Sequence, residues 1–186
     1  MDNETPNWDW TNSILYNMCI DEPNHDDINI TVGKLNIIGR TYSATIERGA
    51  GNNFKIINVA KKINNSEIDK LLEQIRLIDF PDKDNIEDIL KVHKFFTDIL
   101  YRETGLYKRS LASKYLHFHA PKAFFIYDSI ANKQIRKELN NRKIKFNNSN
   151  DFDKEYSQFV YKCLYFRDNF HKGKNPRDID KVLLDY

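Results

Sequence analysis

Lys108-Arg-Ser-Leu-Ala-Ser-Lys-Tyr-Leu-His-Phe-His-Ala-Pro-Lys-Ala-Phe-Phe-Ile-Tyr-Asp128 is the stretch of sequence that decides the fold and the candidate site. Its pattern predicts a helix that begins with polar residues at Arg109 and Ser110 and is broken at Pro121. The apolar run 124–127 then leads to Asp128 at the start of the next helix. Burial behind this run disfavours a charged carboxylate, whereas backbone N–H groups at a helix start favour it. Such opposing effects are typical of a catalytic carboxylate, although a plain helix cap has the same pattern.

The same stretch resembles the core of the helix-hairpin-helix DNA glycosylases, and most closely their divergent 8-oxoguanine-glycosylase-like branch. In that superfamily a hairpin leads into a helix whose early residue is Lys in the lyase enzymes and Ser or another residue in many monofunctional ones. An essential Asp follows 18 positions later, and Ser110 and Asp128 have the same spacing. Phe124-Phe125-Ile126-Tyr127-Asp128 matches the run before that Asp. The family's Gly-rich hairpin turn is replaced here by residues 103–108, which contain a single glycine.

The resemblance implies a catalytic role for Asp128 in cleaving an N-glycosidic bond. A carboxylate there stabilises positive charge on the sugar or orients the attacking water. Ser110 cannot form a Schiff base, so the resemblance implies a monofunctional hydrolase. Lys114 lies one helical turn after Ser110 and is an alternative amine nucleophile, a phosphate contact or a surface residue. Such chemistry requires no cofactor and no metal.

Charge is distributed unevenly along a chain whose formal net charge is only +2. Residues 102–146 carry 11 Lys and Arg against 3 Asp and Glu, whereas residues 1–101 carry 11 against 17. The basic segment predicts a surface that binds duplex DNA through its phosphates, and a solvated face is the alternative. The candidate DNA contacts are Lys108, Arg109, Lys122 and Lys133. The acidic first half is a possible surface for a protein partner.

A second group of candidates, Arg40, Tyr42 and Glu47, is predicted to line a pocket for a flipped base. The alternative is that Tyr42 lies at the edge of the core and the two charged residues face solvent. His117 and His119 are two positions apart, so on a helix they do not share a face for a metal ion.

The remaining sequence predicts an all-α protein with one domain over residues 1–186, loose at 1–7. Helical spacing is predicted from Ile28 to Arg48, with a kink or early stop favoured by Gly33 and Gly39. Ser66 and Asp69 form a capping-box pattern before a later helix. There is no Cys-x-x-Cys pattern, no signal peptide and no membrane-spanning run. We therefore expect a soluble cytoplasmic protein, associated with the nucleoid if it binds DNA.

Two functions from different classes remain at this point. The first is a DNA glycosylase for base excision in DNA repair, built as a single compact two-lobed helical domain of the helix-hairpin-helix type. The second is a catalytically inactive module on the same fold that binds nucleic acid or protein, for example in genome defence. A helical accessory protein without a nucleic-acid role is a third possibility if the basic residues are scattered.

Overall fold

A computed structural model describes residues 8–184, and all regular secondary structure in that range is α-helical. The helices are α1 (Asp9–Asp21), α2 (Ile28–Thr41), α3 (Ile56–Asn64), α4 (Ile68–Arg76), α5 (Ile86–Thr104), α6 (Arg109–His119), α7 (Ser129–Glu138), α8 (Lys154–Phe170) and α9 (Pro176–Leu183). The prediction of a compact all-α protein is confirmed. The prediction for residues 1–7 lies outside the described residues.

Helix α6 is the centre of the molecule. It packs against α1, α2 and α5, and every residue from 111 to 119 is buried. The apolar run 124–127 is also buried and leads to α7, which packs against α8 and α9. Because α6 is surrounded by other helices, its polar residues are inside the protein as well as its apolar ones. The candidate site begins on this helix.

The connection between α5 and α6 is a short helical hairpin. Gly105 has φ 69°, in the left-handed region that favours glycine, and its N–H donates to the carbonyl of Tyr101 at 2.7 Å. The Tyr101 and Tyr107 rings stack across the hairpin with their centroids 4.4 Å apart. The hairpin thus sets the start of α6 at Arg109, as the sequence predicts.

Helix α2 is shorter than the predicted helix through Arg48. It ends at Thr41, and Ser43 adopts a left-handed conformation with φ 51°. The Ala44 N–H donates to the Gly39 carbonyl at 2.7 Å, and a Cβ atom on Gly39 would approach the Ala44 carbonyl oxygen to 3.4 Å. The chain therefore folds back over Gly39, which is the early stop that the glycines favour.

The predicted capping box at Ser66 and Asp69 is wrong. Ser66 accepts a hydrogen bond from the Ile68 N–H at 3.2 Å, but the Asp69 carboxylate points to another part of the molecule. It accepts from the backbone N–H of His25 at 2.9 Å and lies 2.5 Å from His25 Nδ1. A tertiary contact with a buried histidine has displaced the local cap, and this contact cannot be read from local spacing.

The His25–Asp69 pair belongs to a buried polar cluster between the α1–α2 loop and α6. His25 Nε2 lies 2.8 Å from the Tyr115 hydroxyl, and the His25 ring stacks on His119. The buried Lys34 ammonium donates to the carbonyl of Asn24 at 3.0 Å and lies 3.4 Å from His119 Nε2. These hydrogen bonds fix the loop before α2 against the central helix.

Residues 8–184 contain both cysteines of the chain. Cys19 and Cys163 are both free and buried. None of the helices in this range has the length and apolar character needed to cross a membrane.

Candidate functional site

Lys114 and Asp128 form an ion pair at the centre of the candidate site. Lys114 is on α6, one turn after Ser110, and Asp128 is the N-cap residue of α7. The Lys114 ammonium lies 3.2 Å from Asp128 Oδ2 and donates to the Ser110 hydroxyl at 3.0 Å. Asp128 Oδ1 accepts from the Ala131 N–H at 2.8 Å. Asp128 is therefore both a helix cap and the partner of a lysine, and Ser110, Lys114 and Asp128 come together as candidates.

The burial of the two side chains differs. Lys114 is almost fully buried, with 3% of its side chain exposed, whereas 24% of the Asp128 side chain is exposed. A buried lysine needs a counter-charge and hydrogen-bond acceptors, and here Asp128 and Ser110 supply them. The more exposed carboxylate is the member of the pair that an incoming ligand reaches first.

Two cavities meet at this pair. The first has a volume of about 450 Å³ and lies between the α2–α3 loop, the hairpin and the start of α7. The second has a volume of about 300 Å³ and extends toward α9. Both are lined by Tyr42, Ser43, Lys114, Asp128 and Ile130. The carboxylate of Asp128 therefore faces space that is large enough for a small molecule or a nucleotide fragment.

Basic residues surround the mouth of the first cavity. Arg48, Lys108 and Arg109 all line it. The Lys108 ammonium donates to the Arg48 carbonyl, and burial together with the Arg48 charge lowers the pKa of Lys108. Lys108 and Arg48 thus give this mouth a positive charge, which is suited to an anionic ligand.

Arg109 is already bound to acidic residues. Its Nε lies 2.7 Å from both carboxylate oxygens of Asp153, and its guanidinium reaches Glu155 at 3.3 Å. Burial acts to raise the pKa of Asp153, but hydrogen bonds from Arg109 and the Tyr156 N–H outweigh it, and the net pKa is lowered. Arg109 therefore ties the start of α6 to the start of α8.

The other predicted DNA contacts lie away from the Lys114–Asp128 pair. Lys122 follows Pro121 and forms an exposed ion pair with Asp79 at 2.5 Å. Lys133 is exposed on α7 and does not line either of the two cavities. Of the four candidates, Lys108 and Arg109 are close to the site.

The predicted base-pocket residues are separated by the early end of α2. Tyr42 lines both cavities, its hydroxyl donates to Asn12 at 2.5 Å, and the Lys114 ammonium lies 5.4 Å from its ring centroid. Arg40 and Glu47 instead pair with each other at 2.7 Å, with 67% and 41% of their side chains exposed. Neither lines the two cavities. Helix α2 ends between Arg40 and Glu47, so the two residues do not lie on one helical face and do not line a pocket with Tyr42.

Sequence reasoning missed Asp180 and Arg177 on α9. Both line the second cavity, and the Arg177 guanidinium donates to Asp180 Oδ2. Asp180 is 3% exposed, and burial raises its pKa to about 6 against the opposing effect of Arg177. The available signal was Asp180 directly after Ile179 in an amphipathic helix, a position at the edge of the apolar face.

His117 and His119 have structural partners inside the protein. His117 Nδ1 lies 2.8 Å from the Phe124 carbonyl and Nε2 lies 2.7 Å from the Tyr16 hydroxyl, while His119 Nδ1 lies 2.9 Å from the Tyr115 carbonyl. Within residues 8–184, no three His, Cys, Asp or Glu side chains are arranged to hold a metal ion.

Comparison with protein families places residues of this chain in a known family. The family model HI_0787_N, an N-terminal domain, matches residues 2–123. The chain belongs to the HI_0787_N family. The matched segment of this HI_0787_N protein includes α1 to α6 and therefore Lys114, whereas Asp128 and α7 to α9 lie beyond it. No curated protein and no solved structure matches the chain.

Proposed function

We propose that the protein is a DNA N-glycosylase of the helix-hairpin-helix type that uses Asp128 to cleave the bond between a flipped base and its sugar. The observation that carries the proposal is the position of the Lys114–Asp128 pair, behind a helical hairpin and at the meeting point of two cavities. A helix cap without a chemical role does not require a buried lysine beside it.

The chemistry follows from the environment of Asp128. When the glycosidic C–N bond breaks, the electron pair leaves with the base and positive charge develops on the sugar. A fixed carboxylate beside the sugar stabilises that charge, or accepts a proton from the water that attacks C1′. Asp128 is held by the Ala131 N–H through one oxygen, so the carboxylate is oriented before the substrate arrives.

Ser110 and Lys114 favour different outcomes of the reaction. Ser110 has no amine, which favours simple hydrolysis, and its hydroxyl is engaged by Lys114. Lys114 carries the only amine in contact with Asp128 among the described residues, and it becomes a nucleophile only after its proton is transferred to a base. We propose hydrolysis as the main activity, and trapping with borohydride tests the Schiff-base alternative.

DNA is the proposed partner, bound across the mouth of the first cavity. Lys108 and Arg48 line this mouth, and in this proposal they bind the DNA phosphates. In this proposal the helical hairpin at Gly105 corresponds to the DNA-anchoring turn of the helix-hairpin-helix glycosylases. The hairpin contributes Tyr107 to the lining of the same cavity. A DNA substrate would place the protein in the cytoplasm at the nucleoid.

The test measures abasic-site formation on duplexes that each carry one damaged or modified base. We expect the wild type to release a base from at least one duplex, and Asp128→Asn to slow release by at least about 100-fold. Asp151→Asn is a matched control, because Asp151 is an exposed acid outside both cavities. The enzyme proposal is refuted if neither the wild type nor Asp128→Asn releases a base while both bind DNA equally well.

The second candidate is an inactive module that binds nucleic acid or protein. It is favoured by the many charges that already have partners: Arg109 with Asp153, Lys122 with Asp79, and Arg40 with Glu47. This candidate predicts salt-dependent DNA binding without base release, or a protein partner on the acidic first half of the chain. Substitution Lys108→Ala, compared with Arg40→Ala, separates binding at the cavity mouth from a general effect of charge.

A further inference from the structure

Asp180 has a carboxylate oxygen that lacks a hydrogen bond. Oδ2 accepts from Arg177, but Oδ1 is buried and has no hydrogen-bond partner among the described residues. The side chain is 2% exposed, so bulk water does not solvate it. Buried polar atoms in proteins are nearly always paired, so an exception in a cavity wall needs an explanation, and a bound ligand or water is one.

The cavity beside Asp180 is otherwise mostly apolar. Its wall includes the aromatic residues Trp8 and Tyr42 and the aliphatic residues Ile126, Ile130 and Leu184. At about 300 Å³ it has the volume of the smaller ligand sites in proteins, which combine apolar walls with a few oriented polar groups. Arg177 neutralises Asp180 and Lys114 neutralises Asp128, so the polar groups of this wall are already balanced in charge. These properties suit an uncharged, flat molecule.

We propose that the second cavity binds a small, uncharged, planar heterocycle that carries a ring N–H, and that Asp180 Oδ1 accepts the hydrogen bond from this N–H. Nucleobases are members of this chemical class. The proposal does not depend on base release at Asp128, because it concerns binding to the free cavity wall. If the proposed function also holds, the same cavity receives the base.

The protonation of Asp180 gives the proposal a pH signature. A ring N–H binds the ionised carboxylate, so binding lowers the pKa of Asp180, and affinity rises as pH increases through the pKa of about 6. With one carboxylate in control, affinity at pH 5 is expected to be about tenfold weaker than at pH 8. The titratable and charged groups that interact with Asp180 are Arg177 on its own helix, Asp128 at α7, Lys114 on α6, Tyr16 on α1 and Cys163 on α8.

The experiment compares free heterocycles that carry a ring N–H with N-methylated heterocycles that do not. Uracil and hypoxanthine carry it, and 1,3-dimethyluracil and caffeine do not. Binding to the full chain is followed by ¹H–¹⁵N NMR titration up to millimolar ligand, at pH 5 and pH 8. We expect the N–H compounds to shift amide signals of α9 and the start of α7, and the methylated compounds to cause no such shift.

Two variants localise the binding. Asp180→Asn keeps the shape but can present its amide N–H to the ligand, and it is expected to weaken binding at least about tenfold and to remove the pH dependence. Asp88→Asn on α5 is the control, since Asp88 is an exposed acid outside the cavity. Ile130→Phe fills the cavity from its exposed side, where Ile130 is 65% exposed, and is expected to weaken binding without unfolding the protein.

The outcomes separate this proposal from the proposed function. If no N–H compound binds, the Asp180 oxygen is satisfied by water only and the proposal is overturned. Equal binding of the methylated compounds, or unchanged binding in Asp180→Asn, overturns it as well. Binding at Asp180 together with a wild type that releases no base supports this site and rejects the glycosylase.

Discussion

A double-mutant cycle on Lys114 and Asp128 tests the central pair directly. The cycle uses Asp128→Asn, Lys114→Met and the double variant. Asn is as good an N-cap as Asp, so Asp128→Asn keeps the hydrogen bond to the Ala131 N–H and removes only the charge. Met preserves the length of the Lys side chain without its ammonium. The two substitutions therefore report on the ion pair and leave the start of α7 capped.

The expected free energies follow from burial. In Asp128→Asn the Lys114 ammonium, 3% exposed, keeps only the Ser110 hydroxyl and faces an amide N–H, which costs about 1–3 kcal/mol of unfolding free energy. In Lys114→Met the carboxylate remains capped and partly hydrated, so the cost is about 1 kcal/mol or less. The double variant should resemble Lys114→Met, so the coupling energy should equal the effect of Asp128→Asn, about 1–3 kcal/mol.

Urea unfolding at pH 7 measures these values, and thermal unfolding checks them, with about 2–4 °C per kcal/mol expected for a chain of this size. The reasoning is refuted if the two single effects add to within about 0.5 kcal/mol, since separated sites are additive to that extent. Asp128 would then be a helix cap whose charge is independent of Lys114, and the pair could not orient the carboxylate for catalysis.

Three further predictions concern stability. Burial lowers the pKa of His117 to about 4, so the unfolded chain binds a proton at this histidine at higher pH than the folded chain does. The stability due to neutral His117 is therefore complete above about pH 6.5 and is lost as pH falls toward 4. His117→Gln should reduce the slope of unfolding free energy by about 1.2 kcal/mol per pH unit between pH 6 and 5. Gly105→Ala should destabilise the protein by about 1 kcal/mol, because Gly105 has a positive φ. Gly33 lies in a helix with open space around it, so Gly33→Ala should be neutral or stabilise the protein by up to about 1 kcal/mol. Equal shifts of the urea midpoint in the two variants would contradict this prediction. Arg109→Ala removes the counter-charge of the buried Asp153 carboxylate, which keeps the hydrogen bond from the Tyr156 N–H, and should cost about 3–5 kcal/mol of unfolding free energy. Urea unfolding measures this cost, and a loss under about 1 kcal/mol would contradict the prediction.

Helices with one apolar face could be predicted from the sequence, but the residues at which they end were harder to predict. The spacing of apolar residues in α5 is regular, and α6 begins where polar residues precede an apolar face. The end of α2 at Thr41 depends on the close approach of the chain to Gly39, a contact between backbone segments that hydrophobic periodicity does not encode. Periodicity reports which side of a helix is buried, whereas its last turn is set by where the chain goes next.

The candidate site was predictable in part for a related reason. Local spacing predicted that Ser110 and Lys114 lie one helical turn apart, and the resemblance to the glycosylases associated Asp128 with Ser110. The ion pair between Lys114 and Asp128 became visible only in the structure. Asp180 on α9 lines the second cavity together with Lys114 and Asp128. Glu47 does not line it, because α2 ends early. Contacts between distant segments depend on the packing of whole helices, and a single sequence carries little information about them.

The ion pairs also change what the charge pattern implies for DNA binding. Residues 102–146 carry 11 Lys and Arg, but Arg109, Lys114 and Lys122 are paired with Asp153, Asp128 and Asp79. Asp153 and Asp79 lie outside the segment, so they neutralise positive charge that the count within the segment leaves unbalanced. If the mouth of the first cavity contacts about three phosphates, a plot of the logarithm of the DNA-binding constant against the logarithm of salt concentration should have a slope near −3. If every Lys and Arg of the segment contacts a phosphate, the slope should be near −10. Fluorescence-anisotropy titrations at 50 and 200 mM salt distinguish these two cases: the first predicts roughly a 60-fold loss of affinity, and the second about a million-fold loss. The steep result would show that DNA breaks these ion pairs on binding, and the fold's own contacts would then be part of the cost of recognition.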